Sequence, residues 1–205
     1  MQDRGFADTL RRLDLRIQDG IGLVLMARLL GKPISERVSG SDLLLPLADI
    51  AARHGLAVIL LGNDAPANLG ARTMLLAKHP NLTVQCIPDI RVERTASGWN
   101  LPQEAAKALK ESGPCIVMCG LGMQKQEEWM LEHLRPLPNM KIAIGCGGAF
   151  AMLAGSLPRA PRFMRHCGLE WLWRLWLEPK RLIRILRAVF VFPVRLLIYE
   201  MRKTK

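Results

Sequence analysis

The chain has 205 residues, half of them apolar, which is enough to bury one domain with something small attached and excludes a disordered polymer. Its formal net charge of +11 is unevenly placed: residues 158–205 carry 12 Lys/Arg against 3 Asp/Glu, whereas residues 1–157 carry 17 against 15. A near-neutral body with a basic tail suits an anionic lipid surface, a nucleic acid or a phosphorylated substrate, and charge alone does not choose among them.

The start, residues 1–14, is charged and lacks the apolar core of a secretory signal. Residues 13–17 predict a weak first strand, and residues 21–30 a helix. A helix over 41–53 follows, with Ser41 and then Asp42 as its N-terminal cap. From there strands and helices alternate: strand 57–61, helix 65–78, strand 82–87, helix 102–111, strand 115–119, helix 125–134 and strand 141–145. Apolar strands alternating with helices at this spacing predict an α/β fold, a Rossmann-like parallel sheet with helices on both faces, over residues 1–157.

Ligands of such folds bind where strands run into helices. The relevant turns are 18–20, 62–64, 120–124 and 145–148, and all four contain glycine. Glycine lets backbone N–H groups approach a phosphate, although a glycine turn after a strand is ordinary α/β architecture more often than a phosphate cradle. None completes GxGxxG, since Phe150 occupies the place of a third glycine after Gly145 and Gly147, and there is no Walker A motif. A standard dinucleotide oxidoreductase is disfavoured.

The five cysteines have no CxxC spacing, and the four histidines form no ligand pair, so free buried thiols are expected rather than disulfides or a metal site. No apolar run reaches the ~18 residues of a spanning helix.

The tail, 158–205, reads as a separate helical appendage. Leu169, Leu172, Trp173, Trp176 and Leu177 fall on one face of a helix, and Pro179 suits the first turn of the next. Leu182, Ile185, Leu186, Val189 and Phe190 repeat the pattern, with Lys180, Arg181, Arg184 and Arg187 opposite. Tryptophan and aliphatic groups facing a basic side make an interfacial helix, and residues 188–197 add more apolar surface. The alternative is a helix packed on the domain with a solvated basic face.

Several blocks also match a known family in order. Gln18-Asp19-Gly20-Ile21-Gly22 and Glu36-Arg37-Val38-Ser39-Gly40-Ser41-Asp42-Leu43 resemble the paired "DGiG … eRvsGtDL" blocks of the WecG/TagA/CpsF glycosyltransferases. Gly120-Leu121-Gly122-Met123-Gln124-Lys125-Gln126-Glu127 resembles "GLGxPKQE", and the run from Gly147 to Gly155 resembles "GgxFDxxAG". Arg159-Ala160-Pro161, then Gly168-Leu169-Glu170-Trp171-Leu172 with Arg174-Leu175, then Glu178-Pro179-Lys180-Arg181, is similar to "RAP … GLEWlyRL … EPxR".

The resemblance implies an inverting transfer of N-acetylmannosamine, or its uronic acid, from a UDP-sugar donor to a polyprenyl-diphosphate-linked N-acetylglucosamine acceptor. The product would serve a surface polysaccharide or a teichoic-acid linkage. It implies no cofactor, and no DxD motif is present to hold a metal. Asp19 becomes the general base, in a strand-to-helix turn at the ligand end of the sheet; it could equally cap the helix beginning at Ile21. Arg37 would face the same pocket, or pair on the surface with Glu36 or Asp42. Gln126, Glu127 and Gly147 would line the nucleotide-sugar site, with Glu127 also suited to a helix's first turn. Arg174, Arg181 and Arg184 would bring guanidinium groups from the appendage to the diphosphate. The expected setting is the cytoplasmic face of a membrane with anionic lipid, bound peripherally, with self-association through the globular domains and without nucleic acid.

Three departures from the family pattern stand out. The chain is expected to begin inside the family's second unit, without the first strand and helix and their Thr-x-Asn motif. Ala151 stands for the aspartate of "FD", and Gln124 for the proline of "PKQE". A non-catalytic, membrane-associated relative that binds a sugar nucleotide or a partner enzyme is the alternative these departures support. A nucleic-acid-binding α/β protein is the other rival, disfavoured by the tryptophan-rich stripe.

Overall fold

A computed structural model of the chain describes residues 2–17, 20–32, 38–158, 160–161, 163–164, 169–177, 179, 182–186 and 191–203. These divide into two compact units, one of residues 1–16 and 40–158 and the other of residues 17–39 and 159–205.

In the first unit, helix α1 (Gln2–Arg12) is followed, beyond residue 39, by α3 (Gly40–His54), and α2 (Ile21–Leu29) belongs to the second unit. Then come β1 (Ala57–Gly62), α4 (Ala65–Lys78), β2 (Val84–Ile87), a short hairpin of β3 (Arg94–Thr95) and β4 (Gly98–Trp99), α5 (Gln103–Glu111) and β5 (Cys115–Gly120). A helix of two parts follows, α6 (Lys125–Trp129) running into a π-helical turn, Met130–Leu134. β6 (Met140–Gly145) and α7 (Ala149–Leu153) close the unit. The four long strands form one parallel sheet in the order β2-β1-β5-β6, as the alternation of strands and helices predicts.

Both faces of the sheet are covered, so its strands are apolar without alternation. Val58, Leu60, Ile116 and Met118 point to one side, where Leu44, Ala48 and Ala51 of α3, Leu75 of α4 and Phe150 of α7 pack on them. Ile59, Leu61, Val117 and Cys119 point to the other, against Ala105 and Leu109 of α5 and Trp129, Met130 and Leu134. α4 is held at its start by Asp64, whose side chain accepts the N–H of Ala67 at 2.8 Å.

Two expectations are corrected. Residues 13–17 form no strand: they follow α1 as bends and coil, and Leu15 is 80% exposed. An alternating pattern makes a strand only when a sheet edge pairs with it and covers its apolar side, and neither holds here. α3 begins at Gly40, one residue ahead of the Ser41 expected to cap it. Sequence periodicity also passed over α1, α7 and the β3–β4 hairpin, whose strands of two residues are too short to show a period.

The second unit holds α2 and, among the described residues, helices Glu170–Leu177, Leu182–Leu186 and Phe192–Lys203. α2 packs on the last of these. Trp173 and Trp176 meet edge to face, with ring centroids 5.4 Å apart. Among the described residues no helix is long and apolar enough to cross a membrane.

Candidate functional site at the carboxyl edge of the sheet

The strand order creates the site. From β1 the chain moves outward to β2 through α4, then returns across β1 to β5 through α5 on the opposite face. Connections therefore diverge between β1 and β5, and the crevice at their carboxyl ends is where open parallel sheets bind ligands.

Side chains lock the turns around that crevice. The turn after β1 places Asn63 in the left-handed region at φ 60°, and its Nδ2 donates to the Gly147 carbonyl at 2.9 Å. This single bond ties the end of β1 to the turn after β6, passing over Gly120. A Cβ on Gly120 would strike the Asn63 amide, so only glycine lets the three turns meet. Buried Asn68 of α4 fastens the same end of β1, its Nδ2 donating to the carbonyls of Gly62 at 2.6 Å and Leu60 at 3.3 Å.

The turn after β5 presents the polar groups. Gln124 stands at φ 74°, and its N–H donates to Glu127 Oε2 at 2.5 Å. Proline, fixed near −65°, cannot adopt that angle, so the turn follows a path that the family's proline would not permit. Gln126 is 5% exposed, and its Nε2 donates to Glu127 Oε1 at 2.8 Å. Its amide lies so close to Gly145 that a Cβ there would collide with it. Gln126 Oε1 is buried with no hydrogen-bond partner. Asn68 Oδ1 and Gln85 Oε1 are buried without a partner in the same way, so the open acceptor of Gln126 does not by itself mark a ligand position. Glu127, by contrast, spends both carboxylate oxygens on Gln124 and Gln126.

A cavity of about 420 Å³ opens at the carboxyl ends of β1 and β5, lined among others by Asn63, Asp89, Arg91, Glu93, Gly120 and Lys125. A second cavity, of about 460 Å³, opens between β2 and α5 away from the strand divergence, with Gln85 and Glu104 in its wall.

Cysteines near the site are structural. Cys119 is fully buried, and burial raises its thiol pKa far above the ordinary range. Cys146, whose Sγ donates to the Cys119 carbonyl at 3.3 Å, is pushed up to about 12 by burial. Neither forms a thiolate near neutral pH, so neither serves as a nucleophile. Cys86, Cys115, Cys119 and Cys146 are all free, and Cys167 lies outside the described residues.

The sequence candidates divide accordingly. Gln126, Glu127 and Gly147 come together at the carboxyl edge of the sheet, linked through Asn63 and the closely packed turns. Asp19, Arg37 and Arg181 lie outside the described residues, while Arg174 falls in the helix Glu170–Leu177 and Arg184 in Leu182–Leu186. Ala151 sits in α7, partly buried against the apolar cluster around Phe150. Asn63, Asp89, Arg91 and Lys125 were not singled out. Asn63 stood in a turn already marked by glycine, but nothing in the residues around Arg91 marks a ligand position.

Comparison with known proteins places the chain among glycosyltransferases. The chain is 29% identical over 187 residues to the N-acetylglucosaminyldiphosphoundecaprenol N-acetyl-beta-D-mannosaminyltransferase of Bacillus subtilis (strain 168), covering 91% of this chain and 70% of the relative. The protein of the same description from Bacillus spizizenii is 32% identical, with 91% and 69% covered. That from Staphylococcus aureus (strain MRSA252) is 26% identical over 204 residues, with 98% and 74% covered. The description "Glycosyl transferase WecG/TagA/CpsF family" matches residues 1–205, every block of the sequence included, and the chain belongs to that family.

Proposed function

We propose that the chain is an inverting glycosyltransferase that moves N-acetylmannosamine, or its uronic acid, from UDP to a polyprenyl-diphosphate-linked N-acetylglucosamine. The observation that carries this reading is the carboxyl edge of the sheet, where Gln126, Glu127 and Gly147 are gathered and a crevice opens between β1 and β5, in a chain matched over most of its length by mannosaminyltransferase relatives. In the reaction, a hydroxyl oxygen of the acceptor sugar attacks C1 of the donor sugar. The bond from C1 to the UDP oxygen breaks, UDP departs with that electron pair, and the acceptor proton passes to the Asp19 carboxylate. Arg37, Gln126, Glu127 and Gly147 form the donor's surroundings in this reading, and Arg174, Arg181 and Arg184 neutralise the departing diphosphate.

Residues 158–205 form the membrane-associating appendage in this proposal, placing the enzyme on the cytoplasmic leaflet beside its lipid acceptor. Support comes from the basic excess of that segment and from its uncovered apolar groups: Leu172 is 43% and Trp176 75% exposed. The globular units would self-associate, as the sequence resemblance implies.

Incubating the full chain with liposomes, UDP-N-acetylmannosamine and a lipid-diphosphate N-acetylglucosamine should release UDP only when the acceptor is present. Asp19→Asn should lower that rate by about 10²-fold or more. A second reading, a non-catalytic relative, rests on Ala151, which packs with apolar neighbours where the family carries a carboxylate. UDP binding without acceptor-dependent release would favour it over the transferase.

A further inference from the structure

The crevice between β1 and β5 holds charge that the fold itself leaves unused. Asp89, Arg91, Glu93 and Lys125 all line it, exposed, and none of their side chains makes an ion pair or hydrogen bond among the described residues. Unpaired surface charge is not peculiar to them, since Glu104, Lys107 and Glu111 around the second cavity also lack partners among the described residues, whereas Asp49 meets Lys78 and His79 and Arg94 meets Glu128. What sets the four exposed groups apart is their place, around one cavity of about 420 Å³ at the carboxyl ends of β1 and β5, where the connections of the parallel sheet diverge and such sheets bind ligands.

The wall carrying three of the four is fixed in place. Asn100 clamps it: its Oδ1 accepts the Glu93 N–H at 2.6 Å, its Nδ2 donates to the Arg91 carbonyl at 3.3 Å, and its own N–H donates to the Glu93 carbonyl at 3.0 Å. The Asn100 carbonyl in turn accepts Trp129 Nε1 at 3.0 Å. The adjoining hairpin is bolted to the same helix. Glu128 Oε2 accepts both Trp99 Nε1 and Arg94 Nη1 at 3.2 Å, and Glu132 Oε1 accepts the Trp99 N–H at 3.0 Å. Asp89 is anchored from the other side, its N–H donating to the Asn63 carbonyl at 2.8 Å. The segment 89–93 is thus joined to the turn carrying Asn63 and to the helix that begins with Lys125 and Gln126.

We propose that Arg91 is a binding residue for the phosphates of the nucleotide donor, with Lys125 contributing from the helix at the same cavity and Asp89 and Glu93 accepting from ribose or sugar hydroxyls. A guanidinium suits two phosphate oxygens at once, a lysine supplies a point charge, and carboxylates are the usual acceptors for a ribose diol. The assignment rests on the reading of the donor as a UDP-sugar and deepens it: the sheet domain carries phosphate-binding cations of its own, independent of the appendage arginines.

Calorimetric titration of the full chain with UDP and with uridine tests this, alongside Arg91→Gln, Arg91→Lys and the control Lys110→Gln on exposed α5. The exposed Arg91 side chain has no partner among the described residues, so its removal should leave the fold intact, which the melting temperature checks. Arg91→Gln should weaken UDP by about tenfold or more while leaving uridine within about twofold, with Arg91→Lys intermediate and Lys110→Gln unchanged. Unchanged UDP affinity in Arg91→Gln, or an equal loss of uridine, overturns the assignment and leaves the donor reading standing. A wild-type chain that binds no UDP at millimolar concentration overturns the donor reading, and this assignment with it.

Discussion

β1 and the helix Glu170–Leu177 are both built mainly of large apolar residues, yet they meet opposite environments. Val58, Ile59, Leu60 and Leu61 of β1 are 0% exposed, whereas Trp176 of the helix is 75% exposed. Helices cover the sheet on both sides, so every β1 side chain finds a neighbour. The helix lies in a segment, residues 158–205, with 12 Lys/Arg against 3 Asp/Glu, and leaves part of its apolar groups uncovered. Large apolar side chains therefore serve folding in one unit and, in the proposed function, contact with a lipid surface in the other.

Substitutions that exchange these two roles sharpen the contrast. Leu60→Ala, which empties space between the sheet and its helices, should cost about 2–5 kcal/mol in urea unfolding. A loss below about 1 kcal/mol would mean the β1 core is less tightly packed than its complete burial shows. Trp176→Ser should leave the unfolding free energy within about 0.5 kcal/mol, as for a side chain with little to lose on the surface. The same change should lower partition onto anionic vesicles by about tenfold. If Trp176→Ser instead destabilised the fold as strongly as Leu60→Ala and left vesicle binding intact, the tail helix would be a packed element rather than an interfacial one.

What could be read from the residues followed the physics of each region. The four sheet strands were legible because a parallel strand covered on both faces is a continuous apolar run, as 57–61 and 115–119 are. The turns after β1, β5 and β6 were legible through their glycines. Residues 13–17 misled because a short run with apolar side chains does not show whether a sheet edge is there to pair with it. The site was half legible. Gln126 and Glu127 could be named from a motif, but the difference between them, one with an open acceptor and the other fully engaged, depends on hydrogen bonds that only the folded turn defines. Arg91 was invisible because its importance comes from the strand order, which brings segment 89–93 beside turns 26 or more residues away in the chain.

The most direct test of the central claim is the anomeric configuration of the product. UDP-N-acetylmannosamine is supplied with the lipid-diphosphate acceptor, and the purified lipid-linked disaccharide is examined by NMR. Transfer with inversion from an α-linked UDP donor yields a β-linked N-acetylmannosaminyl residue on the N-acetylglucosamine, the result predicted here. An α-linked product, or no disaccharide from a chain that binds both substrates, would contradict it.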